Sequence, residues 1–344
     1  MIEGLRETLL ASIRKGEDPL SAIIGQEEAK ESIIVSLLAG HHILIEGPPG
    51  VGKTTLAKHI ASSLPTVEAV KDCPHHCDPQ SPVCPLCRLR VANEEKLNTV
   101  TVPGERRFVR VQGSPDLTAE DLLGDIDPSQ AFRYGPQDHR AFTPGKLLKG
   151  NRGIVFFDEL NRVPERLQNA LLQVLEEGIA TIGTYDVDYP ARFVMIATMN
   201  PKEHAGVEEL SDVLLDRFEV VNMSYPETAE REREILFRYG KRIGQVEVPE
   251  EVMDLIVTLV RATRDDRWAH ELDQGASVRA GLALYEKVQA AALLGGRPKA
   301  SVDDIRAMAA SSLGARIKPA ADSKYYENPL GLISDIVEKV IGGD

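Results

Sequence analysis

The chain has 344 residues, 42% hydrophobic and 27% charged, enough for a sizeable core and for two domains or one domain with a lid. Its 40 Lys+Arg against 53 Asp+Glu give a net charge of −13, which argues against a general nucleic-acid surface. No apolar run approaches the ~20 residues that span a bilayer, and MIEGLRETLL lacks the layout of a signal peptide, so no membrane role and a cytoplasmic location are expected.

In chain order, Leu5, Leu9, Leu10 and Ile13 recur at helical spacing. A second apolar helix pattern runs over 29–38. Residues 42–46 read as a short strand, and 47–54 follow as GPPGVGKT. That octapeptide fits G-x-x-x-x-G-K-[ST], the phosphate-binding loop of nucleotide hydrolases. Its glycines let backbone N–H groups face a polyphosphate, Lys53 reaches the β- and γ-phosphates, and the Thr54 hydroxyl ligates Mg²⁺. A helix over 55–63 points its N-terminus at the phosphates. Gly47, Pro48, Pro49, Gly50, Val51, Gly52, Lys53, Thr54 and Thr55 are therefore assigned to the nucleotide.

Residues 72–107 interrupt the alternation with Pro, Cys and basic residues. All four cysteines lie there, as Cys73-x₃-Cys77-x₆-Cys84-x₂-Cys87. A Pro-rich stretch of this kind is expected neither to nucleate a helix nor to bury a core, so the thiols are expected to fold it around one tetrahedral ion. Structural zinc, an iron–sulfur cluster and reduced or redox-active thiols all remain open, and His75 or His76 is able to replace a ligand.

Residues 108–112 read as a second strand and 153–157 as a third. The third ends on Asp158-Glu159, an acidic pair suited to hold Mg²⁺ through Asp158 and to orient the attacking water through Glu159. A helix is expected over 167–177 and a fourth strand over 193–198, running into Asn200, whose carboxamide suits the water or the γ-phosphate. Arg217 precedes a fifth strand at 219–223. From residue 229 onward the pattern is helical, over 228–241, 249–262, 276–294 and 301–315. Arg279 opens the third of these. Residues 317–327 read as a linker, and Ile333, Ile336, Val337, Val340 and Ile341 form one helical stripe. The alternation predicts an α/β fold, a parallel sheet wrapped by helices, followed by a small α-helical lid.

GPPGVGKT, FFDEL, ATMN, LLDRF and GASVRA, in this order, resemble the AAA+ ATPases, and more narrowly the MoxR-like and magnesium-chelatase I group. The resemblance covers about residues 20–316. It implies that Lys53 and Thr54 are the Walker A residues, Asp158 and Glu159 the Walker B pair, Asn200 sensor 1 and Arg279 sensor 2. Arg217 becomes an arginine finger acting on ATP in the neighbouring subunit, and Ile23, Ile24, Gly25 and Gln26 lie near the adenine. A hexameric ring with ATP and Mg²⁺ at subunit interfaces is expected. The Cys-containing insert is similar to that of many magnesium-chelatase I homologues. RVQGSPDLTAEDLLGDID and FDELNRVPERLQNALLQVLEEG look MoxR-like.

The expected organisation is an N-terminal helix (1–20), a nucleotide-binding core (21–226), a lid (227–316), and a linker with a C-terminal amphipathic helix (317–344). The core carries the Cys insert (72–107), a helix-2 insert (125–147) and a hairpin before sensor 1 (178–192). The expected function is ATP hydrolysis by a ring motor that remodels or activates a protein client, with a von Willebrand-type domain protein as a partner. The alternative is the ATPase subunit of a chelatase that drives a metal ion into a tetrapyrrole. A slow nucleotide switch and a DNA motor are the other classes weighed. Glu159 and Arg217 count against the first and the net charge against the second.

Overall fold

The computed structural model describes residues 2–182, 187–200 and 209–342. Its backbone divides into two compact units. The first comprises Met1–Ile23, Glu27–Gly47 and Gly52–Met223, and the second Ile24–Gln26, Pro48–Val51 and Ser224–Asp344.

The first unit is built on five strands, β1 (His42–Glu46), β2 (Phe108–Gln112), β3 (Ile154–Asp158), β4 (Val194–Met199) and β5 (Phe218–Asn222). They lie in the order β5-β1-β4-β3-β2, and every pair is parallel. The expected parallel sheet is therefore present. Its central strands are apolar along their length because helices cover a parallel sheet on both faces. Ile43–Ile45, Ile154–Phe157 and Val194–Ala197 are all buried. The helices Glu27–Ala39, Lys53–Ser62 and Glu165–Glu177 belong to the same unit. Parallel pairing also brings every strand's carboxyl end to one edge. Register sets Glu46 opposite Met199 and Gln112 opposite Asp158.

His42 opens β1 between the rings of Phe193 and Phe218, and its Nδ1 accepts a hydrogen bond from Met195 N at 3.0 Å. Desolvation pushes its pKa down from 6.5 to about 4. The unfolded chain therefore binds a proton between these values that the folded chain refuses. Stability rises with pH across that window and is lost as pH falls from about 6.5 towards 4. His42→Gln keeps an acceptor and does not titrate. Melting curves from pH 7 to pH 5 are expected to fall more steeply for the wild type than for this variant, and parallel curves would remove His42 from the acid response.

Among the described residues, three antiparallel pairs decorate the first unit. Val67–Val70 pairs with Thr99–Val102 and brackets the cysteines, and Gly124–Ile126 pairs with Phe142–Pro144. Ile179–Ile182 pairs with Val187–Pro190, and the tip of this expected hairpin, 183–186, lies outside the described residues. The Cys insert departs from the expectation in two respects, for Cys77, Cys84 and Cys87 are buried in a small cluster with Val70, and the insert contains a helix. Pro85–Ala92 is a helix despite its proline. Pro85 occupies its first turn, where no backbone donor is needed, and Cys84 caps it by accepting from Cys87 N.

The inserts, read in the sequence as separate loops, converge on Tyr189 in the pre-sensor hairpin. Its ring lies 5.5 Å from His75 and 4.5 Å from Phe142, and its hydroxyl is 3.1 Å from His139 Nδ1. The Cys insert is also tied to the start of β3. Asn151 Nδ2 donates to His75 O at 2.6 Å and Arg152 Nη1 to His76 O at 2.9 Å.

The second unit packs the helices Ala229–Tyr239, Glu250–Ala262, Val278–Leu294, Val302–Leu313 and Pro329–Gly342 around one core. The expected linker is not a free tether. Lys318–Pro319 pairs with Leu272–Gln274, Ala320 N donates to Glu271 O, and Tyr325 is buried in the lid core. Its polar composition hid these contacts, which are made largely through the backbone. Leu332, Ile333, Ile336 and Val337 of the last helix join the same core. No helix among the described residues is long and apolar enough to cross a membrane.

Candidate active site

The phosphate loop turns at glycines for steric reasons. A Cβ on Gly47 would lie 2.2 Å from Met223 O, within the first unit. Gly50 has φ +81°, and a Cβ there would lie 2.8 Å from Ser277 Cβ and 3.5 Å from Arg279 Cβ, within the second. Gly52 precedes the helix Lys53–Ser62, so Lys53 and Thr54 occupy its first turn, where backbone N–H groups lack partners within the helix. Lys53 Nζ donates to Gly47 O at 2.5 Å. The lysine thus folds back over the loop. Thr54 is half-buried and Thr55 exposed.

β3 delivers the acidic pair to the carboxyl edge. Thr198 Oγ1 donates to Asp158 Oδ1 at 2.8 Å and accepts from Glu159 N at 3.0 Å, so one buried hydroxyl of β4 fixes both residues. Arg110 Nη2 meets Asp158 Oδ2 at 2.6 Å. Glu159 has φ +58°, a left-handed conformation that costs a non-glycine residue about 1 kcal/mol or more. This turn carries its carboxylate off the strand. Gln112 Nε2 donates to Glu159 Oε2 at 2.9 Å, and Arg162 Nε lies 3.4 Å from the same oxygen. Asn200, half-buried, follows β4 at the same edge, between the ends of β1 and β3.

Arg217 lies elsewhere in the first unit, after the turn Asp212–Leu215, and its Nη2 is 3.3 Å from Glu176 Oε2. Arg279 belongs to the second unit, is exposed and stands in the first turn of Val278–Leu294. Ile24 and Gly25 belong to that unit too, where Gly25 approaches the Arg231 side chain. Arg110, Gln112 and Thr198 were not singled out from the sequence. Arg110 and Gln112 alternate with buried Val111 on β2, a period-2 signal that marks one polar face beside the acidic pair.

The cysteines form a second candidate site. Their four Sγ atoms all lie within 4.8 Å of one another, with Cys73 and Cys84 at 3.8 Å. Four Zn–S bonds of ~2.3 Å in a tetrahedron separate sulfurs by ~3.8 Å, so the set fits zinc. Backbone N–H groups of Cys84 and Cys87 point at Cys77 Sγ and Cys84 Sγ, both at 3.4 Å. Thiols this crowded do not ionise alike. Hydrogen bonding with Cys73 pushes Cys77 down and pushes Cys84 and Cys87 up. His75 and His76 are not part of the four-sulfur group.

Comparison with known proteins agrees with this geometry. Three family descriptions match, "ATPase family associated with various cellular activities (AAA)" over residues 91–220, "Magnesium chelatase, subunit ChlI" over 19–73 and "AAA lid domain" over 264–333. A magnesium-chelatase subunit ChlI homolog of Methanocaldococcus jannaschii is 26% identical, across 90% of this chain and 87% of its own. The magnesium-chelatase 38 kDa subunit of Acidiphilium rubrum is 35% identical, across 58% of this chain and 56% of its own. Among solved structures, NtrX from Brucella abortus in complex with ADP superposes with a TM-score of 0.51 at 15% identity, covering 93% of this chain and 64% of that one, a likeness of fold alone.

Proposed function

Because this chain is an AAA+ ATPase homologous to the magnesium-chelatase ChlI subunits, we propose that it is the motor of a ring, hexameric when loaded, that couples Mg-dependent ATP hydrolysis to remodelling a partner protein. The observation that carries this reading is the division of the charges. The carboxylates Asp158 and Glu159 stand at the carboxyl edge of the sheet and the cation Lys53 opens the helix that follows β1, whereas the cation Arg217 is paired with Glu176.

Lys53 neutralises the β- and γ-phosphates. The Thr54 hydroxyl and the Asp158 carboxylate, held by Thr198, are a hard-oxygen donor set of the kind Mg²⁺ takes. Bound Mg²⁺ supplies charge neutralisation across the phosphate oxygens. Glu159 accepts the proton of the attacking water as it orients it, and Gln112 holds the carboxylate ready. Asn200 and Arg279 contact the γ-phosphate, and Ile24 and Gly25 border the adenine. Arg217 serves the neighbouring subunit's ATP, as a guanidinium that cannot lose its charge. Cys73, Cys77, Cys84 and Cys87 hold one structural Zn²⁺. Four unlinked thiols fit a reducing compartment and a cytoplasmic location. The client is a protein, with a von Willebrand-type domain protein as the expected partner.

A second reading has a specific support. The M. jannaschii ChlI homolog aligns with this chain over nearly its full length. In that reading the ring drives metal insertion into a tetrapyrrole. A gene for a large porphyrin-binding subunit beside this one favours the chelatase, and a gene for a von Willebrand-type domain protein favours the remodelling motor. The ring itself is tested by sedimentation of Glu159→Gln with and without ATP and Mg²⁺. A species about six times the 37.7 kDa chain is expected with both present. A monomer at every concentration would contradict the proposal.

A further inference from the structure

A charged cluster lies inside the second unit, beside the GASVRA segment that carries Arg279. Glu232, in the helix Ala229–Tyr239, is 1% exposed. Its two carboxylate oxygens accept from Arg264 Nη2 at 2.7 Å and Nη1 at 3.2 Å. The third nitrogen of the same guanidinium, Nε, donates to Ala276 O at 2.6 Å. The ring of Tyr225 lies under the guanidinium, 4.1 Å from its carbon to the centroid. Thr263, the residue before Arg264, accepts from Ala276 N through Oγ1 at 2.8 Å and donates that hydroxyl's proton to Val260 O.

Both polar groups of the Ala276 backbone are therefore held by adjacent residues of one turn. Ala276 is fully buried and stands directly before Ser277, the cap of the helix Val278–Leu294. Arg279 is in the first turn of that helix. A buried carboxylate–guanidinium pair contributes little net stability compared with apolar residues of the same volume, so its presence calls for a reason of geometry. Here the geometry is directional. Arg264 is planar and all three of its nitrogens are engaged, so moving it moves the Ala276 carbonyl and the helix start that follows. The Gly50 backbone approaches that start at Ser277 and at Arg279 Cβ.

We infer that Glu232 and Arg264 are positioning residues for Arg279, fixing the helix start from which that side chain meets the γ-phosphate. This rests on the reading of Arg279 given above. Arg264→Lys keeps a cation beside Glu232 but loses the planar fork that also holds Ala276 O. It is expected to lower turnover about tenfold, to weaken binding of the slowly hydrolysed analogue ATPγS and to leave ADP affinity unchanged. In an Arg279→Ala background the same substitution is expected to add nothing, because the two residues act through one contact.

The double variant Glu232→Leu/Arg264→Met fills the core without the tether. It is expected to keep the wild-type melting temperature and still lose turnover, which separates positioning from folding. Full turnover in the double variant would overturn the inference. An equal loss from Arg264→Lys with and without Arg279 would do the same. A large effect of Arg279→Ala beside an inert Arg264→Lys overturns this inference alone. Unchanged turnover in Arg279→Ala overturns the reading of Arg279 and this inference with it.

Discussion

Glu159→Gln is expected to retain ATP binding and to lose turnover by about 100-fold or more, the range typical of a removed general base. The substitution is nearly isosteric. It leaves the backbone N–H of residue 159 bonded to Thr198 and leaves the left-handed turn intact. Gln112 and Arg162 keep a side-chain oxygen to bond. What disappears is the capacity to take a proton from water. The measurement is steady-state phosphate release beside equilibrium binding of a fluorescent ATP analogue. Wild-type turnover, after contaminating ATPase has been excluded, would remove Glu159 from the mechanism.

The second large effect concerns the cysteines. Protein purified without added zinc is expected to carry about one zinc per chain and to be colourless. Cys84→Ser/Cys87→Ser is expected to release it. The insert has little else to hold it, since its small apolar cluster consists of the four cysteines with Val70, Val83, Leu86 and Leu97. Its unfolding frees His75 from Tyr189 and removes the bonds from Asn151 and Arg152. Hydrogen exchange is therefore expected to rise in 73–92 and in the hairpin strands at 179–182 and 187–190. ATP binding is expected to survive, because Lys53 and Thr54 open the helix Lys53–Ser62, which follows β1 of the central sheet and holds no residue of the insert. Absorbance near about 400 nm would indicate an iron–sulfur cluster instead. Metal-free protein with four titrating thiols and unchanged exchange in the Ser variant would remove the site.

The sheet was legible because its three central strands, β1, β3 and β4, are short apolar runs that lead directly into functional residues. GPPGVGKT, the Asp158-Glu159 pair and Asn200 each follow such a run, and the parallel order brings them to one edge. The lid helices were legible from their periodicity. What the sequence hid was long-range. Nothing in Tyr189 announces that it joins three inserts, since its partners His75, Phe142 and His139 lie 47 or more positions away. Glu232 is a charge at a buried helical position, which looks like an ordinary surface residue until Arg264 is placed beside it. The helix at Pro85 was missed because proline was weighed as a breaker and not as a first-turn residue. The strands at 67–70 and 99–102 are too short to separate from loop by pattern alone.

The central claim is that hydrolysis is shared between subunits of a ring, each offering Lys53 to its own ATP and Arg217 to its neighbour's. Mixing tests it most directly. Arg217→Ala and Lys53→Ala proteins are each expected to be nearly inactive. Combined under conditions where subunits exchange, they are expected to recover part of the wild-type turnover, at interfaces that join an intact Lys53 to an intact Arg217. A mixture that exchanges subunits and stays as inactive as its components would contradict the account.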